Sequence, residues 1–222
     1  MSETIITVHG SARSELTPER AIVRFTISAN GPDRAPIVAS VGRTLADVST
    51  ALDAQHDEQA GPVSSWSADR VTVSTHRPWT NDGSLAPIVH RASVAGHATV
   101  SVIDVVAELV DDLVARELVS VDGLEWALTD ARLELETRDA RARAVSDALA
   151  KAEALAAAIG LESVTALALA DPGMLDGGSG NPAPLPRLER AMAMDARGDG
   201  GLSLRPESIV VEAAVDARFS AR

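Results

Sequence analysis

Cysteine is absent from the 222 residues, which removes disulfides, thiolate metal sites and cysteine nucleophiles together. The redox compartment is left undecided. Tyrosine is absent too, and only Trp66, Trp79, Trp126, Phe25 and Phe219 are aromatic. Stacking platforms for bases or sugars are therefore scarce, and the core has to be built from Val, Leu, Ile and Ala. Positive charge is in short supply: the formal net charge is -12 and the pI near 4.8, a field that repels phosphate and opposes nucleic acid or anionic membrane as partners. Lysine occurs once, at Lys151, among twenty basic residues. Together with the alanine richness, this bias points to a GC-rich coding genome rather than to a function. No apolar run approaches the roughly 18 residues of a membrane span, and MSETIITVHG has neither a basic n-region nor an apolar h-region. As written, the chain reads as cytoplasmic, without membrane insertion.

What is present is ample core material, 45% hydrophobic residues, and one segment that reads clearly as helix. In Thr137 to Gly160, Ala140, Ala144, Ala148, Ala152, Leu155 and Ile159 recur at three- and four-residue spacing and share one face. Asp139, Arg143, Asp147 and Lys151 form a second stripe of alternating charge, whose ordinary reading is solvated pairing at i, i+4. Thr137 offers a cap, and Gly160 stands where a left-handed C-terminal residue is wanted. A mostly alanine face lets its neighbour approach closely, as a β-sheet does beneath a crossing helix.

In chain order, Thr4–His9 and Arg20–Ala29 alternate apolar and polar residues around a Pro18 turn, predicting two strands paired as a hairpin. Val38, Val41, Leu45, Val48 and Leu52 mark a helix beginning just after Pro32 and Pro36. Gln55–Ser65 reads as a loop. Ala68–His76 and Val89–Ser101 read as strands paired across the Asn81-Asp82-Gly83 turn. Asp104 offers the cap of a helix to about Leu118, with Val106, Leu109, Val110 and Leu113 inward. Gly123–Leu135, Val164–Ala170 and Ser208–Phe219 complete the strands. Asp171–Arg205, rich in Gly and Pro, is expected to be a flexible insertion. The predicted order is ββαββαβαββ: one α+β domain over 1–222, with mainly antiparallel sheet covered by about three helices.

This order and several motifs resemble the SIMPL-domain family, which includes bacterial periplasmic immunogenic and oxidative-stress-defence proteins. ITVHGSARSELTPERAIVRFTI is similar to the family's opening pattern, with Gly10, Pro18, Ala21 and Val23 in place and Ser11-Ala12 where a second glycine would stand. VTVSTHRPW is similar to the family's strand ending in Thr, Pro and an aromatic, Trp79 replacing tyrosine. GLEWALTDARLELETRDARARAVSDALAKAEALAAAIGLE resembles the most specific motif, and Arg141, Asp147, Lys151 and Glu153 fit it along with the alanines. The resemblance covers essentially the whole chain. It implies no agreed enzymatic activity, no cofactor and no catalytic residues, but an association with stress tolerance and with large ring- or barrel-like homo-oligomers. Many members are exported behind a signal peptide, a departure from the start seen here.

Individual residues add little chemistry. His76 and His90 could face each other across the Ala68–Ser101 hairpin and begin a metal site, but no third ligand has a position, and a cross-strand surface pair explains them equally well. His9, His56 and His97 read as ordinary surface residues. Lys151 could be a reactive buried amine, with a salt-bridged lysine as the ordinary alternative. Arg197-Gly198-Asp199 spells an adhesion tripeptide by chance. G-x-S-x-G, H-E-x-x-H, P-loop and G-x-G-x-x-G patterns are absent, so no enzyme, cofactor or metal is indicated. The sequence therefore reads as a non-enzymatic, self-assembling protein, a homo-oligomer larger than a dimer, with the hairpin-tip residues Trp79 and Leu85 as the candidate interface. The competing reading is a carrier or adaptor that holds a peptide or small apolar ligand between the long helix and the Asp171–Arg205 segment.

Overall fold

Eight strands and three α-helices follow one another as ββαβββαβαββ in the computed structural model, which describes residues 3–78, 86–175 and 204–222. Every strand pairing is antiparallel, so the class is α+β as expected, with one strand more than the periodicity predicted. The described residues divide into two compact units: a terminal unit of 3–17, 128–175 and 208–222, and a central unit of 18–78, 86–127 and 204–207. No helix among the described residues is long and apolar enough to cross a membrane.

The terminal unit is a three-stranded sheet in the order β1-β8-β7, from β1 (Thr4–Leu16), β7 (Val164–Ala170) and β8 (Ile209–Ala221), with α3 (Asp130–Ala158) on one face. β1 and β8 pair over their whole lengths, from Thr4 opposite Ala221 to Leu16 opposite Ile209. The helix buries Ala140, Ala144, Ala148, Ala152 and Ala156 against Ile6, Ala213, Ala217, Phe219 and Ala221. A stripe at every fourth residue drifts by about 40° per step around a straight helix. It therefore leaves behind Leu155 and Ile159, 51% and 60% exposed, which do not belong to the buried face.

The start of α3 also differs from expectation. Thr129, not Thr137, caps it, its hydroxyl accepting the Arg132 N–H at 3.3 Å. The alternating Arg-Leu-Glu-Leu-Glu of 132–136 imitates a strand, but Arg132 and Glu136 pair at i, i+4 on the helix (2.9 Å). The far end matches expectation: Gly160 has φ +78°, and Leu161 N–H reaches back to Ala156 O at 3.0 Å.

The central unit packs a five-stranded sheet under α1 (Arg34–Gln55) and α2 (Val106–Val114). Its strand order is β3-β5-β2-β6, from β2 (Arg20–Gly31), β3 (Val63–Ala68), β5 (Val89–Val100) and β6 (Val119–Ala127), and β4 (Thr72–His76) pairs β5 beyond β3. β2 is a middle strand with both edges taken by β5 and β6, which is why it cannot form the predicted hairpin with β1. Ala21, Val23, Phe25, Ile27 and Ala29 of β2 pack with Val41, Val48 and Leu52 of α1 and Val106, Leu109, Val110 and Leu113 of α2.

Five further assignments change in this unit. Arg34 opens α1, so Pro36 sits inside the first turn, where its missing N–H costs nothing. The polar Val-Ser-Ser-Trp-Ser-Ala segment, read partly as loop, is β3, with Trp66 Nε1 donating to Asp53 Oδ1 at 2.9 Å. Asp104 lies in a 3-10 turn (Ile103–Val105) and caps nothing. Helix α2 ends four residues before Leu118, which takes the left-handed φ of 69° that terminates the turn, and β6 ends at Ala127 rather than running to Leu135.

Candidate functional site

Of the residues proposed from sequence, Trp79 and Leu85 lie outside the described residues, as do the Arg197–Asp199 tripeptide and most of the Asp171–Arg205 segment. His76 and His90 are not opposite one another. Thr75 faces His90, with Oγ1 and Nδ1 2.9 Å apart, and His76 faces Val89. Successive side chains alternate between sheet faces, so the two imidazoles cannot share a ligand. Among the described residues no group of three or more His, Asp or Glu could hold a metal ion.

The motif residues on α3 separate into two pairs. Arg141 and Glu153 are exposed, and neither makes an ion pair among the described residues. Asp147 and Lys151 reach from the helix to the backbone of β1: an Asp147 carboxylate oxygen accepts the Ser11 N–H at 2.9 Å and the Lys151 ammonium at 2.6 Å, and Lys151 Nζ donates to His9 O at 3.0 Å. One turn earlier, Arg143 donates to the hydroxyl of Ser14. Asp147 and Lys151 thus pair with each other at i, i+4 as expected and in addition tie the helix to β1, as Arg143 does through Ser14, whereas Asp139 pairs with Arg138 on its own helix. Sequence periodicity could show the stripe but not its partner, because nothing local says which strand lies beneath.

Gly10 sets the distance of this approach. A Cβ there would stand 2.1 Å from Ala144 O and 2.7 Å from Ala148 Cβ, so only glycine admits the helix backbone so close to β1. On either side of it, His9 and Ser11 turn their backbone groups outward. In an antiparallel pair the N–H and C=O of one residue face the same way and alternate along the strand, so His9 O and Ser11 N–H point away from β8. These are the groups an added strand would bond, and Asp147 and Lys151 already occupy them.

His9, read as isolated, has a partner as well. Its Nδ1 lies 2.8 Å from Asp216 Oδ1 directly across the β1–β8 ladder, and Asp216 also accepts the Gly173 N–H at 2.7 Å. The hydrogen bond from Lys151, then that from Ser11, holds the Asp147 carboxyl below its ordinary value. Asp216 is held below its own by His9 first and Gly173 second. Both carboxylates stabilise the folded state only while ionised.

The opposite edge of the sheet is β7. Among the described residues β7 has a strand partner only in β8, and Leu167 and Leu169 are each 52% exposed on it. No curated protein matches the chain. A family model described as SIMPL, protein of unknown function (DUF541), matches residues 6–219. That match runs from Ile6 of β1 to Phe219 of β8 and takes in both the alanine-faced helix and the glycine beneath it, and the chain belongs to the SIMPL family.

Proposed function

We propose that this SIMPL-domain protein is non-enzymatic and acts as a homo-oligomer larger than a dimer. The observation that carries the reading is the apolar surface of the terminal unit. Leu155 and Ile159 at the end of α3, Leu167 and Leu169 on β7, and Met174 beyond it are all more than half exposed. A soluble chain normally covers such side chains and such an open strand edge, and a second copy supplies both kinds of cover. A charge of -12 per subunit does not prevent contacts that are local, since repulsion between exposed charges is screened over a Debye length of about 8 Å at physiological salt. The family's association with stress tolerance belongs to the same proposal.

Light scattering on the eluting native protein across a concentration series is the test, with mass well above twice 23.1 kDa as the expected result. A Trp79→Ser, Leu85→Ser double variant that keeps the native mass removes the hairpin tip from the interface.

A groove in the central unit favours the second reading, a carrier of a small apolar ligand. It measures about 610 Å³ and is lined by Ala35, Val38 and Ala39 of α1 together with Val71 and Val73. A co-purifying small molecule in native mass spectrometry, lost on Val38→Asp, supports that reading.

A further inference from the structure

A second depression in the central unit shares no residue with the groove at Val38, and its walls carry charges of both signs. It measures about 590 Å³ and is bounded by the end of β2, the first half of α1 and the turn that follows α2. Small-molecule sites fall in the range of roughly 300–1,000 Å³. Ala29 and Ile37, 8% and 7% exposed, supply its buried apolar part. Arg43 and Asp47 line it from α1, and Arg116 and Glu117 from the turn. Arg43 and Asp47 stand at i, i+4, but with the cation first, which is the less favourable order for a helix pair. They stay apart: the Arg43 guanidinium donates to Ser40 Oγ at 3.2 Å, and neither residue makes an ion pair among the described residues. Glu117 makes none there either. Arg116 is steadied by Asp112 one turn back, at 2.8 Å, which engages one nitrogen of a group with five N–H donors. The turn that presents it is fixed as well, since Leu118 O accepts the Ser28 N–H at 2.9 Å. Leu118 itself lines the cleft at a left-handed φ of 69°, a strained setting of the kind that gathers at ligand clamps.

Such a lining suits a small molecule that carries one positive and one negative group on an apolar body. A dianion such as phosphate would meet Asp47 and Glu117 in a chain whose net charge is already -12. A plain hydrocarbon would strip water from four charged groups and give them nothing in return. We propose that this cleft binds a free apolar α-amino acid as its zwitterion. The carboxylate goes to Arg43 and Arg116, whose planar forks of N–H donors match its two oxygens. The ammonium, with three donors, is shared between Asp47 and Glu117. The side chain lies over Ala29 and Ile37, beside Leu118. This assignment goes beyond self-assembly, and either can fail while the other stands. Because Arg43, Asp47 and Glu117 are exposed, water screens each contact and the affinity is modest. Selectivity comes from the demand for both charges on one small body.

Isothermal titration calorimetry of the full chain with L-leucine is the test. N-acetyl-L-leucine, which lacks the ammonium, and L-leucinamide, which lacks the carboxylate, are the comparisons. Leucine should saturate the site with a Kd of about 1 mM or tighter. Each analogue should bind about tenfold more weakly, as the loss of two exposed charge contacts implies. Arg43→Gln and Asp47→Asn change exposed side chains of α1 and should leave the fold intact. Arg43→Gln should weaken leucine about threefold and leave leucinamide unchanged; Asp47→Asn should weaken leucine as much and leave N-acetyl-leucine unchanged. A substitution that merely disturbed the helix would move all three ligands together. Absence of saturation by about 20 mM leucine, equal affinities for leucine and either analogue, or unchanged leucine binding in both variants overturns the proposal.

Discussion

The two units of the molecule are held together by different kinds of packing. In the central unit the core is made of volume: Phe25, Ile27, Leu52, Leu113 and a set of valines are fully buried, and every one of the largest fully buried side chains belongs to it. In the terminal unit it is made of proximity. Five alanines of α3 lie on a sheet whose nearest strand offers Gly10, and the polar ties from Asp147 and Lys151 fix what little side-chain volume cannot. A core of large side chains tolerates some repacking, whereas a helix seated backbone to backbone has no slack to give. Exposed apolar residues occur in both units, Ile88, Val102, Val114 and Leu118 in the central one, but among the described residues those more than half exposed are mostly in the terminal unit, Leu155, Ile159, Leu167, Leu169 and Met174 among them.

Substitutions that break this contrast rank by size. Ala148→Asp places an unpaired charge between helix and sheet and should cost several kcal/mol, abolishing the folded terminal unit; near-normal melting of that variant by circular dichroism would mean that the wrong helix face has been assigned. Asp147→Ala, one position earlier, should be much milder. Leu52→Ala in the central unit should cost about 2–5 kcal/mol by leaving a cavity, as read from denaturant titration. Gly10→Ala adds one methyl group and should still cost on the order of 1–3 kcal/mol, because the helix must lift. At Gly42 in α1, where an added Cβ meets nothing within 4 Å, the same change should stabilise by about 1 kcal/mol. Equal effects at the two glycines would remove the distinction between the units.

Acid should act on the terminal unit first. Glu3, Asp147 and Asp216 lie there with lowered pKa values, and only Asp57 among the described carboxyls of the central unit is lowered in the same way. A carboxyl whose folded-state pKa is depressed contributes stability above its unfolded value and loses it as the pH falls through the folded one. The contribution is therefore intact at neutral pH and disappears below the ordinary carboxylate range. Amide exchange along α3 and β1 should quicken there before exchange along β2 does, and salt should shrink the difference, since these groups are exposed. The reverse order would place the acid-labile contacts in the central unit.

Much of this was legible in the residues because local rules decide it. The inward positions of α2, the β4–β5 hairpin, the strands β7 and β8 and the left-handed Gly160 follow from period and turn chemistry. The partner of β1 was not legible, since adjacency in sequence favours a hairpin with β2 and only the saturation of both β2 edges sends β1 to a strand some two hundred residues away. The role of Asp147 and Lys151 was hidden for the same reason. A charge stripe at i, i+4 looks alike whether it faces water or the exposed edge of a strand. Leu155 and Ile159 were misplaced because three-residue steps fit a helical face as well as four-residue steps do, and only the sheet beneath selects between them.

Sedimentation velocity at micromolar concentration, run on the wild-type chain beside a Leu167→Ser, Leu169→Ser double variant, tests the central claim most directly. The account predicts a single wild-type species larger than a dimer and a smaller one for the variant, with the fold of both units retained. A wild-type protein sedimenting as one species of 23.1 kDa would contradict it.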